Sequence, residues 1–383
     1  MSARRIYMSD SYQVAAYYFP NYHIDPRNEK WHGHNWTEWE LVKRAEPRFA
    51  GHQQPKVPLW GYEDEADPSV MAKKIDAAAD HAISTFLFDW YWHKEGPYLQ
   101  RALDEGFLKA PNNSRMKFAL MWANHDWVDI HPATRSKNHT TLAEGCVAED
   151  VFVKATRHMI DHYFGHPSYW KVNGGLYVSF YELMSLVKGL GSLENTRRLL
   201  DDFRTRVRLA GHGELHLNAV VWGVQILPTE TKIEDPVQML KLLGFDSVTS
   251  YVWIHHQVLS DFPKTDYDAI REASCQDYDT FTKKYPMDYF PNVTMGWDSS
   301  PRTIQSDSFD NLGYPYMPIL EGNTPAAFQR ALESAKQFLD KGELKEKILT
   351  INAWNEWTEG SYLEPDMIHG YKYLEAIRKV FGC

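Results

Sequence analysis

The sequence predicts an α/β fold, a (β/α)8 barrel of the TIM type forming a single domain with long strand-to-helix loops. Three observations predict it. Short apolar runs alternate with longer amphipathic segments eight times along the 383 residues. No Gly/Ser-rich or Pro-rich linker divides the chain. The apolar runs are nearly continuous rather than alternating, the pattern of strands buried on both faces of a parallel sheet. Eight such repeats fit a closed parallel barrel better than the rival doubly wound open sheet. The expected organisation is one barrel over residues 1–383, with 1–12 as an N-terminal extension. Barrels of this class average about 250 residues and tolerate large insertions.

The first expected strand is Val14–Phe19 (VAAYYF), and the second is Ser84–Trp90 (STFLFDW). Lys117–Trp122, Gly175–Phe180, Leu215–Trp222, Ser247–Trp253, Asn292–Trp297 and Ile348–Trp354 follow. Between the first two, Asp67-Pro68-Ser69 opens a helix: Asp caps, and Pro occupies the first turn, where its missing N–H costs nothing. Further helices are expected over Leu99–Ala110, Asp150–Phe164, Asn195–Ala210, Pro236–Leu243 and Asp268–Tyr285. Thr324-Pro325 starts another that Gly342 ends, and Tyr371–Phe381 closes the chain. The excess length falls in three strand-to-helix connections, Tyr22–Ala66, Val128–Ala148 and Ser299–Asn323, on the face where barrel enzymes build their sites.

Composition narrows the function. With 41 Lys+Arg against 51 Asp+Glu the formal charge is −10, which disfavours broad binding of a phosphate backbone. No apolar run approaches the roughly 18 residues of a membrane span. Cys146, Cys275 and Cys383 cannot build a disulfide framework. The N-terminus MSARRIYMSD lacks the apolar core of a secretory signal, so a cytoplasmic protein is expected. The sequence does not specify an oligomeric state. What stands out is 14 Trp, 22 Tyr and 18 Phe.

These aromatics gather with polar residues at the carboxyl ends of the strands. Tyr18, Tyr22 and His23 follow the first; Asp89, Trp90 and Trp92 end the second; Trp122, Asn124, His125 and Asp126 end the third. Tyr251 and Trp253 end the sixth, Trp297, Asp298 and Arg302 the seventh, and Trp354, Asn355 and Trp357 the eighth. Sugar rings present apolar C–H faces edged by hydroxyls, so flat rings beside amides and carboxylates suit a glycan cleft. Trp90, Trp122, Trp297, Trp354 and Trp357 are expected as stacking walls. Asp89, Asn124, Asp126, Asp298 and Arg302 are expected to hold hydroxyls or acidic groups, and Tyr18, Tyr22 and His23 to close the first-strand side. Glu38, in the long first loop, is a further candidate. The alternative for any one Trp is an ordinary core position.

Glu356 and Glu359, three apart on the turn leaving the last strand, are the candidate catalytic pair. Glycoside hydrolysis commonly uses two carboxyl groups, one protonated and one ionised, and burial with mutual repulsion separates their proton affinities. Other chemistries lack support. There is no HExxH, paired CxxC or EF-hand pattern around His32, His34 or His255-His256, so no metal is expected. No Gly-rich phosphate loop follows the first strand, no G-x-S-x-G elbow is present, and Cys146 has no evident base partner. No cofactor is expected.

YYFPNYH (17–23), WHGHNWTEW (31–39) and GHQQPKVPL (51–59), with FDWYW, WANHDW, GWDSSPR and INAWNEWTEGSYLEP in order behind them, resemble WbsX-type proteins of the glycoside hydrolase family 99-like group. The resemblance runs from about Val14 to Glu364 and implies a (β/α) barrel. The related family 99 enzymes are retaining endo-acting mannosidases with an N-E-W-x-E-G motif, matched by Asn355–Gly360. By that resemblance Glu356 is the base on the sugar 2-hydroxyl, whose oxygen attacks C1 to give a 1,2-anhydro sugar. Glu359 then protonates the leaving oxygen and later activates water. Asn355 would orient one of the two. Many WbsX-type proteins are labelled glycosyltransferases of polysaccharide assembly. A glycosyltransferase and a non-catalytic carbohydrate-binding barrel therefore stand as alternatives to the hydrolase. The expected partner is an oligo- or polysaccharide, with no nucleic acid and no membrane span.

Overall fold

The computed structural model describes residues 12–136, 138–227, 235–341 and 344–382. Its centre is a ring of parallel strands: β1 (Tyr12–Tyr18), β2 (Thr85–His93), β3 (Lys117–Trp122), β4 (Gly175–Phe180), β5 (Leu215–Val220) and β6 (Ser247–Thr249). β7 comes in two pieces, Asp288–Phe290 and Asn292–Thr294, and β8 is Lys347–Asn352. The first piece of β7 pairs with β6 (Ser247 opposite Asp288) and the second with β8 (Asn292 opposite Thr350). Pro291 separates them, having no N–H for a ladder bond, while its carbonyl accepts from the Thr350 N–H at 3.0 Å. β1 pairs with both β2 and β8. The nine parallel segments thus close into the expected eight-stranded barrel.

Helices cover the outside. The first connection carries α1 (Pro26–His32), α2 (Trp39–Arg44) and α3 (Pro68–Ala79). α4 (Glu149–His162) follows β3, and α5 (Leu183–Leu190) with α6 (Leu193–Leu209) follow β4. Then come α7 (Pro236–Leu243), α8 (Tyr267–Lys284), α9 (Pro325–Lys341) and α10 (Lys372–Phe381). The caps are those the sequence implies: Asp67 accepts from the Ser69 N–H at 2.7 Å, and Thr324 from the Ala327 N–H at 3.3 Å. The expected Gly342 exit and, apart from Tyr12, the expected N-terminal extension lie outside the described residues, as does Cys383. Among the described residues no helix is long and apolar enough to cross a membrane.

Three expectations need correction. Leu99–Ala110 is not an α-helix: Leu99 takes the left-handed φ of 58°, which cannot open one, and a wider π-type turn spans Ala102–Phe107. Strands five to eight end two to four residues early, because the chain leaves the ladder for the rim loops at Val220, Thr249, Thr294 and Asn352. α1, α2 and α5, at 6 to 8 residues each, were not foreseen. The barrel floor is also more polar than Val/Ile/Leu layers would be. Ser179 donates to Asn218 at 2.8 Å, Asn218 to Ser247 at 2.8 Å, and Thr249 meets Thr350 at 3.2 Å, so the buried groups satisfy one another.

Candidate active site

Strand parity decides what reaches the barrel mouth, because successive side chains on a strand point to opposite faces. On β2, Asp89 and Tyr91 face inward. Trp90 and Trp92 face the helix layer, where Trp92 packs 5.1 Å from the His158 ring of α4. Beyond β8, Asn355-Glu356 pairs antiparallel with Ser361-Tyr362, and residues Trp357–Glu359 form a single helical turn between them. Gly360 closes this hairpin at φ 63°. A Cβ there would lie 2.6 Å from the Cβ of Asp298, so only glycine fits. The hairpin turns Glu356 and Glu359 toward the same space.

That space is a cavity open to solvent, about 660 Å3 with its mouth included, lined by Phe19, Asp89, Tyr91, His125, Asp126, Trp127, His131, Tyr181, Tyr251, His255, Trp297, Arg302, Glu356 and Glu359, with Ile226 and Leu227 among its apolar wall residues. Arg302 is its electrostatic centre. Its Nε and Nη2 donate to one oxygen of Glu38 at 3.0 and 2.9 Å, Nη2 approaches Glu356 at 3.4 Å, and Nη1 donates to Glu359 and to the Tyr314 hydroxyl. Tyr314 itself donates to Glu359 at 2.7 Å. Burial opposes the Arg302 charge, but Glu38, Tyr314, Glu359 and Glu356 outweigh it and hold the guanidinium well above its ordinary pKa. Glu38 stays below its ordinary value despite complete burial because Arg302 faces it.

The two candidate catalytic carboxyls move the other way. Burial, then repulsion from Glu359, pushes Glu356 well above the usual carboxylate range. Burial also raises Glu359, against which Arg302 and the Tyr314 hydrogen bond work. Asp89 is driven well up by burial. Tyr251 donates toward both Asp89 Oδ2 and Glu356 Oε1, each 3.0 Å away. His125 and His255 are held below their ordinary values by burial, and His131 falls to about 3.

Of the residues singled out from sequence, Asp89, His125, Asp126, Tyr251, Trp297, Arg302, Glu356 and Glu359 line the cavity. Others stand behind it. Glu38 anchors Arg302, the Tyr22 hydroxyl accepts from the Trp357 N–H at 3.1 Å, and Asn355 ties the hairpin to both N–H and carbonyl of Phe19 at 2.8 Å. Tyr18 and His23 do not close the cleft; they contact buried Glu65 at 2.9 and 3.2 Å. Asn124 clips the backbone of Glu182, and Asp298 accepts from His52 and Gln54 at 2.8 and 2.7 Å. The expected aromatic walls are corrected most. Trp122 stacks on Phe152 of α4, Trp253 packs on Tyr267, and the indoles of Trp354 and Trp357 donate to Glu364 at 3.0 and 2.7 Å. Trp297 alone of the five expected walls lines the cavity. Tyr91, two residues beyond Asp89, was legible from parity. Tyr181 directly follows β4 and carries the same strand-end signal, whereas His131 and Tyr314 come from distant loops and carry no local signal. Among the described residues no group of three or more His, Cys, Asp or Glu is placed to hold a metal ion.

Residues 14–377 match the family described as Glycosyltransferase WbsX. The chain belongs to this WbsX family. Among curated relatives, the uncharacterized protein WxcX of Xanthomonas campestris pv. campestris strain B100 is 27% identical over 378 residues, covering 96% of this chain and 49% of the relative. The WxcX of strain ATCC 33913 is also 27% identical, over 377 residues. The chain thus spans about half the length of the curated relatives it matches. Among solved structures, the GH99 endo-alpha-mannosidase of Bacteroides thetaiotaomicron in complex with BIS-TRIS-propane superposes with a TM-score of 0.61 at 12% identity, over 96% of each chain. A glycoside hydrolase-like protein gives 0.63 at 16% identity, over 98% of this chain and 95% of that one. At these identities the likeness concerns the fold, and this WbsX-family chain shares the barrel architecture of both.

Proposed function

We propose that the chain is a glycoside hydrolase, one catalytic barrel that cleaves a glycan with retention through the sugar 2-hydroxyl. The observation that carries this reading is the placement of Glu356 and Glu359 on one hairpin, facing one cavity and sharing Arg302. Burial raises both carboxyls, and repulsion from Glu359 raises Glu356 further, which favours holding a proton in the site as acid–base cleavage of a glycosidic bond requires. Glu356 takes the base role on the 2-hydroxyl and Glu359 the acid role on the leaving oxygen, as the resemblance to family 99 suggests. Trp297 supplies a stacking face.

The family description favours a second reading, transfer from an activated sugar. The charge distribution weighs against a nucleotide-sugar donor. Arg302 is the one Lys or Arg among the described residues lining the cavity, and its N–H groups are committed to Glu38, Glu356, Glu359 and Tyr314. A pyrophosphate would meet an acidic pocket with no free cation among the described residues.

Glu356→Gln and Glu359→Gln decide the matter. Each is expected to fold and to lower hydrolysis of an aryl glycoside or glycan panel by on the order of 10²–10⁴, with products of retained anomeric configuration from the unmodified protein. Near wild-type turnover in both variants overturns the assignment, and transfer from a nucleotide sugar without hydrolysis establishes the second reading.

A further inference from the structure

The Tyr251 hydroxyl stands between two carboxyl groups, 3.0 Å from Asp89 Oδ2 and 3.0 Å from Glu356 Oε1. A phenol has one proton to donate. If both carboxyls were ionised, one of these two contacts would oppose lone pairs in a site where Asp89, Tyr251 and Glu356 are 3%, 7% and 4% exposed. One further proton removes the conflict: the acid that carries it donates to the phenol oxygen, and the phenol donates to the other carboxylate. We propose that Asp89 and Glu356 share a single proton across the Tyr251 hydroxyl, making Asp89 the positioning residue that sets the protonation of Glu356.

The surroundings require such a proton. Ionised Glu38 faces Glu356 as a like charge, and Glu359 adds another toward both members of the pair whenever its own proton leaves. Arg302 is the opposing charge, 3.4 Å from the far oxygen of Glu356 and bound to three other groups. His125 and His255, kept neutral by burial, add no positive charge, and the buried phenols of Tyr17, Tyr22 and Tyr91 stay protonated. Asp89 Oδ1 is buried with no hydrogen-bond partner among the described residues, so an Asp89 carboxylate would be poorly supported. Two buried carboxyls this closely linked titrate as a pair.

The function of the shared proton rests on the hydrolytic reading above. A base at Glu356 must be ionised when the 2-hydroxyl arrives. The bridge provides the route: the Glu356 O–H bond breaks as its proton passes to the Tyr251 oxygen, and the original Tyr251 O–H bond breaks as its proton passes to Asp89 Oδ2. Tyr251 ends as a neutral phenol, Glu356 as a carboxylate and Asp89 as an acid, with charge and atoms conserved.

Infrared difference spectra of the full chain across a pH titration test this without any substrate. Beside the band of the Glu359 acid, the unmodified protein should retain a second buried carboxylic-acid band at neutral pH, and Asp89→Asn and Glu356→Gln should each abolish that second band, because its proton belongs to the pair. Tyr251→Phe, which serves also if Asp89→Asn fails to fold, should keep the band but move it, since the acid loses its phenol partner. An unmodified protein without this second band, a second band that survives Asp89→Asn at full strength, or one that Tyr251→Phe leaves unmoved overturns the proposal. On any glycan found to be cleaved, Asp89→Asn should displace the pH profile of kcat with KM little changed; an unmoved profile overturns the role given to Asp89. If no glycan is cleaved but the bands behave as described, the hydrolytic reading fails and the shared proton stands.

Discussion

Lys74 of α3 reaches Glu364 at 2.7 Å, an ion pair whose side chains are 2% and 4% exposed, directly behind the candidate catalytic hairpin. Glu364 in turn accepts the indole N–H groups of Trp354 and Trp357, which flank Asn355-Glu356. Lys74 also donates to Tyr18 at 3.0 Å and lies 3.9 Å from Glu65, so one ammonium serves two buried carboxylates. Removing one partner of a buried pair strands the other, which costs about 3–5 kcal/mol. Lys74→Met is expected to lose that much in urea unfolding and to lower kcat by loosening the hairpin. Lys74→Met combined with Glu364→Gln should cost less than the single change. A loss under about 1 kcal/mol, the scale of an exposed pair, would show that Glu364 finds other support.

The barrel was legible because buried strands and capped helices carry local signals, and Lys117–Trp122, Gly175–Phe180 and Pro236–Leu243 match to the residue. Glu356 and Glu359 were legible because a short acidic hairpin directly after an apolar strand is a local pattern. The aromatic walls were not, because whether a Trp faces the mouth or the helices depends on one-residue parity and on which helix lies outside. Trp90 and Asp89 are neighbours in sequence and back to back in space. Arg302 and Tyr314 meet at Glu359, and Glu38 joins them through Arg302 from the first connection, far away in the chain. Their association depends on loop closure, which no window of sequence displays.

Trp297 and Trp122 should separate binding from packing. Trp297 lines the cavity, so Trp297→Ala removes a stacking face worth about 1 kcal/mol and is expected to raise KM several-fold. Trp122, fully buried against Phe152 and Phe180, should behave differently. Trp122→Ala is expected to cost about 3–5 kcal/mol of stability with KM unchanged in the folded fraction. Paired urea titrations and steady-state kinetics check both, and a KM effect confined to Trp122→Ala would reverse the assignment of the two rings.

Buried histidines should make the fold sensitive to mild acid. Burial lowers His93 to about 4 and His131 to about 3. An unfolded histidine titrates near about 6.5. Between these values the unfolded chain binds protons that the folded one refuses, so stability present above about pH 6.5 is lost as pH falls toward the folded values. His93→Phe and His131→Phe should flatten this loss. Thermal unfolding midpoints from neutral to mildly acidic pH test it, and slopes unchanged in both variants would mean the fall comes from other groups.

Arg302 gives the sharpest test of the site's electrostatics, because its removal should reverse the pH response of one carboxylate. Arg302 holds Glu38 below its ordinary value against complete burial. With Glu38 lowered, its contribution is complete above the unfolded value of about 4.3 and is lost as pH falls through the folded value. Arg302→Met removes the largest group opposing burial and leaves only His131 and the donors Thr358 and Asn21, so Glu38 is expected to rise above the unfolded value. The folded variant then binds more protons than the unfolded chain between those two values, and its stability increases as pH falls. The variant is expected to lose about 3–5 kcal/mol near neutrality, the cost of stranding buried charge, and to recover part of it as pH is lowered toward about 5. Arg302→Lys keeps the charge but loses the planar fork that reaches Glu38 and Glu359 together, so it should restore the wild-type pH response with only part of the stability. Unfolding midpoints of the three proteins across this range decide the point. A wild-type-to-Met gap that stays constant with pH would show that Glu38 takes its charge stabilisation from Asn21 and Thr358, which also donate to it, and not from Arg302.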